Sequence, residues 1–204
     1  MLELAPPAIA DDESSPSVTV TDALLVARAQ RDPAAFAPLY EAYVDAVRRY
    51  CYHRLGSWEG AEDAASIVFT NALAALPRYR VGGQSGSFRS WLFVIAHNVV
   101  ANMHRNGAVR PIGPLTEAND VPDGAPSPEE SAVAADTCRS VRALLQQLPP
   151  DQRRVLELRL AGLTDLEIGR VLGRTRGAVR TAQYRAVLRL REQLTRQGGE
   201  SRDA

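Results

Sequence analysis

Arg174, Arg176, Arg180 and Arg185, with Thr181 and Tyr184 between them, form a group of side chains able to engage a polyanion. Arginine pairs bidentately with guanine edges or clamps phosphates, and the N-terminal half of a helix is the part that reaches base edges in a major groove. Val179, Ala182, Ala186 and Leu190 recur at three- and four-residue spacing, so they form a buried seam and leave the arginines on other faces. Arg180 is assigned a base or adjacent-backbone contact, and Arg174 and Arg176 are assigned to phosphates. An arginine-rich amphipathic helix is commonly a solvated face and nothing more. The preceding residues argue against that reading.

Those residues must position the arginines. Thr164 and Glu167 have the S/T-x-x-E spacing of a capping box, which fixes where a first helix starts. Gly169 lies inside that helix, where glycine costs about 1 kcal/mol against alanine, so close approach of the second helix is its expected reason. Gly173 fits the left-handed residue that ends a helix, and the chain then turns into Thr175. The pattern is a helix-turn-helix. Upstream, Ser127, Pro128 and Glu130 start a helix that runs to about Gln147, Pro149 and Pro150 break it, and 151–160 resumes with Val155, Leu156, Leu158 and Leu160 as core.

The 204-residue chain has a formal net charge of zero, which conceals segregation. Residues 151–196 hold 11 arginines against 5 acids, a net of +6, and residues 23–110 hold 10 against 6, a net of +4. Residues 1–22 and 111–136 carry 5 and 6 acids respectively and no base. DNA binding depends on the local field and on counterion release, so whole-chain neutrality does not exclude it. Every basic side chain apart from histidine is arginine. The acidic start, rich in Pro and Ser, lacks the features of a signal peptide and is expected to be a disordered tail. No apolar run approaches a membrane span, so a cytoplasmic protein is expected. Cys51 and Cys138 belong to no metal-spaced cluster and read as small buried thiols, without a disulfide, metal or cofactor.

The N-terminal half also reads as helical. Asp32 and Pro33 mark a start, with Phe36, Leu39, Tyr40, Tyr43, Val47 and Tyr50 down one side to about Leu55. After Gly56 and Ser57, a second stripe comprises Ala61, Ala64, Ala65, Val68, Phe69, Ala72, Leu73 and Leu76, ended by Pro77. A third helix from Ser87 to about His104 buries Phe88, Trp91, Leu92, Ile95, Ala96, Val99 and Met103, leaving Asn98, Asn102 and Arg105 on another face. Trp91 could stack on a base, but its place in the stripe makes it core. The fold class is therefore all-α: two small helical domains joined by a flexible acidic linker, the C-terminal one a helix-turn-helix. The expected boundaries are a tail over 1–20, a first module over 21–109, a linker over 110–127, a second module over 128–196 and a tail over 197–204.

In the first module, AFAPLYEAYVDAVRRYCYHRLGS, AEDAASIVFTNALAAL and SFRSWLFVIAHNVVANMHR resemble region two of the bacterial sigma-seventy family, extracytoplasmic-function (group four) type. In the second, LLQQLPPDQRRVLELRLAGLTDLEIGRVLGRTRGAVRTAQYRAVLRLR resembles region four, and together the match covers about residues 23–195. The resemblance implies that the AED helix docks on the beta-prime clamp helices of RNA polymerase core through Glu62, Asp63, Ser66, Thr70 and Asn71. The competing reading is that Glu62 and Asp63 merely favour their helix dipole. Ser66 and Ile67 stand where the family usually has Gln and Glu.

The same resemblance places minus-ten recognition on the loop 78–87 and the following helix, with Arg80, Gln84, Ser85, His97, Asn98, Asn102 and Arg105 as its residues. Gly82, Gly83 and Gly86 would let backbone approach an extruded base, and the two asparagines can read polar edges of unpaired bases. Minus-thirty-five recognition falls to Arg174, Arg176, Arg180, Thr181, Tyr184 and Arg185. His97, Asn102, Ala182 and Tyr184 stand where many relatives carry Arg, Asp, Arg and His. Implied partners are RNA polymerase core, including its beta flap, promoter DNA and an anti-sigma protein. No enzyme is implied, because His53, His97 and His104 are scattered and assemble with no nucleophile. Two alternatives stay open: a helix-turn-helix regulator with a sensing or dimerising N-terminal module, and an adaptor that binds polymerase or an anti-sigma protein without initiating transcription.

Overall fold

A computed structural model describes residues 16–81, 86–106 and 128–200, and over these the chain is helical and contains no strand. The first module consists of α1 (Pro16–Ala29), α2 (Ala37–Leu55), α3 (Trp58–Ala75) and α4 (Phe88–Arg105). The second consists of α5 (Pro128–Gln146), α6 (Pro150–Leu160), α7 (Asp165–Leu172) and α8 (Arg176–Glu200). The expected N-cap Ser127, the site residues Gln84 and Ser85, and most of the acidic tail and linker lie outside the described residues.

Local chemistry explains the boundaries. Asp32 accepts from the Ala34 amide at 3.0 Å, and with Pro33 next to it a short 3-10 turn leads into α2. Gly56 ends α2 with φ 87°, a conformation that costs a side-chain-bearing residue. Ser57 then caps α3 by accepting from the Gly60 amide at 3.1 Å. Ser87 does the same for α4 through the Ser90 amide at 3.1 Å.

Helix α1 begins at Pro16, inside the segment expected to be a tail. Its periodicity is a weak signal, and tertiary contacts supply the reason that it forms. Val26 and Ala29 are buried, Asp22 accepts a hydrogen bond from the Tyr43 hydroxyl, and Gln30, just past the helix, donates to the carbonyls of Leu76 (2.9 Å) and Tyr79 (2.7 Å). At the other end, α8 continues to Glu200, past the expected boundary at 196.

The core of the first module is aromatic around α4. Tyr79 and Phe88 flank Trp91 with ring centroids 4.8 and 5.5 Å away, and Tyr43 packs on Phe88 at 5.5 Å. Each such pair adds about 0.5–1.5 kcal/mol beyond its area burial. Trp91 is thus a packing residue, as its stripe predicts. Three stripe residues differ from expectation: Tyr40, Leu73 and Leu160 are exposed. Conversely, Phe93 and Val100 are fully buried although the α4 stripe omitted them. The reason is that α4 is covered from several sides, by α1, α2, α3 and by α7 of the second module.

In the second module, α6 packs on α7 and α8, while Leu145, Leu148, Leu156 and Ala186 join α5, α6 and α8 in a smaller cluster. The capping box is complete: the Glu167 amide donates to Thr164 Oγ1 at 3.3 Å, and the Thr164 amide donates to Glu167 Oε2 at 2.9 Å. The two modules do not stand apart. A single buried cluster runs from Leu39, Val47 and Phe88 through Leu158, Ile168 and Val179, so the halves share one core.

Candidate nucleic-acid interface

The geometry of the helix-turn-helix follows from two glycines. At Gly169 a Cβ would lie 2.6 Å from the Arg174 carbonyl oxygen, so only glycine lets the turn fold back this tightly. The tightest neighbour is the backbone of the turn, and the start of the second helix, at the Arg176 nitrogen, lies 3.9 Å away. Gly173 caps α7 at φ 64°. Thr175 then accepts from the Ala178 amide at 3.3 Å and starts α8.

Helix α8 faces inward with Val179 and Ala186, and Ala182 and Leu190 are half-buried along the same seam. Arg176, Arg180, Thr181, Tyr184 and Arg185 are all exposed, so these sequence-selected residues share the solvent side of the helix. Arg174 is the exception. It is half-buried in the turn, and its guanidinium meets Asp151 at 2.8 Å, which holds that carboxyl below the usual carboxylate range. Arg159 donates to Asp165 and, at 3.1 Å, to Gln183, which ties α6 to the start of α7 and to α8. Sequence reasoning missed this brace. Its only sequence signal is the opposite charge of Arg159 and Asp165 six positions apart across the break between α6 and α7; nothing local marks Gln183.

On α4, Asn98, Asn102 and Arg105 are exposed on one side, with Arg105 Nη2 at 3.5 Å from Asn102 Oδ1. His97 departs from this group: it is half-buried and its Nδ1 lies 3.1 Å from the Tyr50 hydroxyl. Burial first, then Arg54 and Arg154, lower its pKa, so the imidazole favours its neutral form. Arg80 is exposed at the start of the loop. Where the loop returns, Tyr79 donates through its hydroxyl to the Gly86 carbonyl at 3.1 Å, and Gly86 has φ 70°.

On α3, Asp63, Ser66, Thr70 and Asn71 are exposed together, flanked by exposed Ile67 and Leu73. Glu62 is half-buried and paired with Arg48 at 2.9 Å. Because α3 begins at Trp58, Glu62 and Asp63 fall in its second turn, where helix-dipole attraction has already faded. Glu59 is the acid of the first turn.

Both cysteines are free. Cys51 is buried, and desolvation pushes its thiol up to about 12, which makes it inert as a nucleophile. Cys138 is half-buried. Among the described residues no His, Cys, Asp or Glu grouping could hold a metal ion, and no helix is long and apolar enough to cross a membrane.

The sequence also missed a seam of polar contacts between the modules. Arg54 of α2 pairs with Glu157 of α6 at 3.3 Å, with side chains 15% and 1% exposed. Desolvation raises the Glu157 pKa, opposed by Arg54. Arg89 donates to the Gly162 carbonyl at 2.7 Å, and the Ser87 hydroxyl donates to Glu167.

Comparison with known proteins gives two family matches on this chain. Sigma-70 region 2 matches residues 39–109 and Sigma-70, region 4 matches residues 138–190. ShbA of Streptomyces griseus, an extracytoplasmic-function (ECF) RNA polymerase sigma factor, is 38% identical over 191 residues, covering 89% of this chain and 96% of that relative. The ECF sigma factor BldN of Streptomyces coelicolor is 38% identical over 168 residues, 80% of this chain and 62% of BldN. SigD of Mycobacterium tuberculosis, another ECF sigma factor, is 34% identical over 195 residues, 91% of each chain. Among solved structures, CnrH in complex with the cytosolic domain of CnrY superposes with a TM-score of 0.65 at 23% identity, over 85% of this chain and 97% of that one. That likeness establishes the shared fold.

Proposed function

This chain belongs to the extracytoplasmic-function sigma factors of the sigma-70 family and directs RNA polymerase to promoters, and from that premise we propose how its surfaces divide the work. Region two, on α2 to α4, binds core polymerase through α3 and engages the minus-ten element through α4 and the loop before it. Region four, on α5 to α8, engages the minus-thirty-five element through α8. The protein supplies specificity and assists melting, and acts in the cytoplasm.

The observation that carries this reading is the coincidence of exposure with chemistry on three separate helices. Asp63, Ser66, Thr70 and Asn71 form one polar surface on α3, Asn98, Asn102 and Arg105 another on α4, and Arg176, Arg180, Thr181, Tyr184 and Arg185 a third on α8. Amide side chains suit the edges of unpaired bases, and arginines suit guanine edges and phosphates. Arg174, paired with Asp151, is suited to phosphate anchoring from the turn once it exchanges that carboxylate for DNA. Helix α3 presents a carboxylate beside apolar Ile67 and Leu73, the mixture expected of a protein-docking surface. An anti-sigma protein is a further proposed partner.

Run-off transcription with purified core polymerase on a promoter library tests the reading. Initiation dependent on the chain, with enriched motifs at two spaced elements, is the expected result. Polymerase binding without initiation would favour an adaptor, and duplex binding without polymerase binding would favour a helix-turn-helix regulator.

A further inference from the structure

A cleft of about 410 Å³ opens between the modules, with α2 and α4 on one side and α5 and α6 on the other. Its charged lining is Arg54, Arg153, Arg154 and Glu157, so three guanidinium groups face one carboxylate and the cleft carries a net charge of +2. His53 does not add to this charge: burial first, then Arg142 and Arg49, lower its pKa and favour the neutral imidazole. Arg142 of α5 does add to the field, and its own pKa is lowered by burial and by Arg153.

The one carboxylate is already committed. Glu157, 1% exposed, pairs with Arg54 at 3.3 Å. Arg153 Nη2 donates to the Leu148 carbonyl at 3.3 Å, whereas Arg154 forms no hydrogen bond or ion pair with any described residue. Nε of Arg54, Nε of Arg153 and Nδ1 of the buried His53 are shielded from solvent and have no hydrogen-bond partner among the described residues. Shielded donors beside an unbalanced positive charge are costly to a fold unless an anion joins them.

We propose that this cleft binds a small diphosphate, free or as the diphosphate group of a nucleotide, with Arg54, Arg153 and Arg154 as the residues that hold it. The guanidinium fork matches phosphate oxygens bidentately, and a diphosphate brings the multiple negative charge that the surplus calls for. Only Ala101 and Pro150 line the cleft with apolar side chains, which argues against an apolar ligand. Its volume falls within the range of small-molecule sites, about 300–1,000 Å³. A nucleic-acid backbone is tracked by an exposed row of cations, but here the arginines are half-buried and bounded by four helices. The proposal stands on this cleft and not on the assignment of α3, α4 and α8 to polymerase and promoter.

The test is calorimetric titration of the full chain with inorganic pyrophosphate and, separately, with ADP, both in magnesium-free buffer without phosphate. The site variant carries Arg153→Gln with Arg154→Gln. The control carries Arg28→Gln with Arg31→Gln, which removes the same charge from exposed positions on and just after α1. Saturable one-to-one binding of pyrophosphate is expected, weakened about tenfold or more in the site variant and unchanged in the control. Because the ligand would touch both modules, a 100-fold excess over Kd is expected to raise the thermal midpoint by about 5 °C. ADP binding more tightly than pyrophosphate identifies a nucleotide as the ligand, and ADP binding no more tightly identifies the free diphosphate. Absence of saturation up to about 1 mM overturns the site, the scale below which a specific small ligand is expected to bind. Equal weakening in the site variant and the control also overturns it, since diffuse surface charge would then account for the binding. A fluorescein-labelled single-stranded 20-mer of random sequence whose affinity falls as far as that of pyrophosphate in the site variant would assign the cleft to a nucleic-acid backbone and overturn the proposal as well. If the double variant loses its helical circular-dichroism signal, Arg154→Gln against Arg28→Gln is read in the same way.

Discussion

Glu62 and Asp63 are neighbours on α3, yet Glu62 is held by Arg48 at 2.9 Å while Asp63 stands exposed in solvent. The pair therefore divides into a carboxylate held within the fold and an exposed one, and on the proposed reading Asp63 is the residue that meets the partner. Asp63→Arg is expected to leave the helical circular-dichroism signal unchanged and to weaken competition for core RNA polymerase about tenfold or more, the scale for reversing one charge in an interface. A folded variant that competes as well as the parent would remove α3 from the docking surface.

Asn98 and Asn102 are exposed on α4 and take no part in the buried core. Replacing both with Ala should cost little stability and should reduce permanganate reactivity of the promoter bubble more than it reduces holoenzyme binding to a minus-thirty-five duplex. Equal bubble reactivity for parent and variant, at matched occupancy, would place unpaired-base recognition elsewhere.

What was legible in the sequence was local. The Thr164–Glu167 box, the left-handed Gly173, the break at Gly56 and Ser57 and the helix start at Ser87 each depend on residues a few positions apart, and short-range sterics and hydrogen bonding dictate them. The stripe that packs Trp91 against Tyr79 and Phe88 is local as well. By contrast, Arg54 and Glu157 lie 103 positions apart, and no periodicity announces that a buried acid on α6 meets an arginine on α2. The same long-range packing buries Phe93 and Val100 and so widens the stripe on α4 beyond one face. Helix α1 was missed because the hydrogen bonds of Asp22 to Tyr43 and of Gln30 to two carbonyls come from distant residues. The candidate site was legible as residue types on α3, α4 and α8. The packing of the second module against Ser87 and Arg89 at the start of α4 was not.

The two glycines of the turn make separable predictions. Gly169→Ala gains about 1 kcal/mol of helix propensity, but it drives a methyl to within 2.6 Å of the Arg174 carbonyl, a backbone atom that cannot step aside cheaply. Overpacking of this kind costs about 1–3 kcal/mol, so a net loss of stability and of duplex binding is expected together. At Gly173 nothing lies within 4 Å, and Gly173→Ala meets only the strain of φ 64°, about 1–2 kcal/mol. Urea melts followed by circular dichroism, paired with duplex titrations, distinguish the cases. A Gly169→Ala chain more stable than the parent, with binding intact, would show that the turn relaxes freely.

On the proposed reading, Arg180 distinguishes base reading by α8 from phosphate anchoring. It is exposed in the first half of the helix, one position after the buried anchor Val179, and it makes no contact that folding requires. If its guanidinium reaches a base edge, Arg180→Ala in the polymerase-assembled chain should cost about 1–3 kcal/mol at the selected promoter and much less at a scrambled minus-thirty-five element. If it holds a phosphate instead, both sequences should weaken alike and the salt slope should fall by about one. Arg176→Ala is expected to follow the phosphate pattern, so it provides the internal comparison. Titrations on selected and scrambled duplexes at several salt concentrations resolve the two patterns. An Arg180→Ala chain equal to the parent on both duplexes at every salt concentration would take this residue out of the interface and move base reading to Thr181, Tyr184 and Arg185.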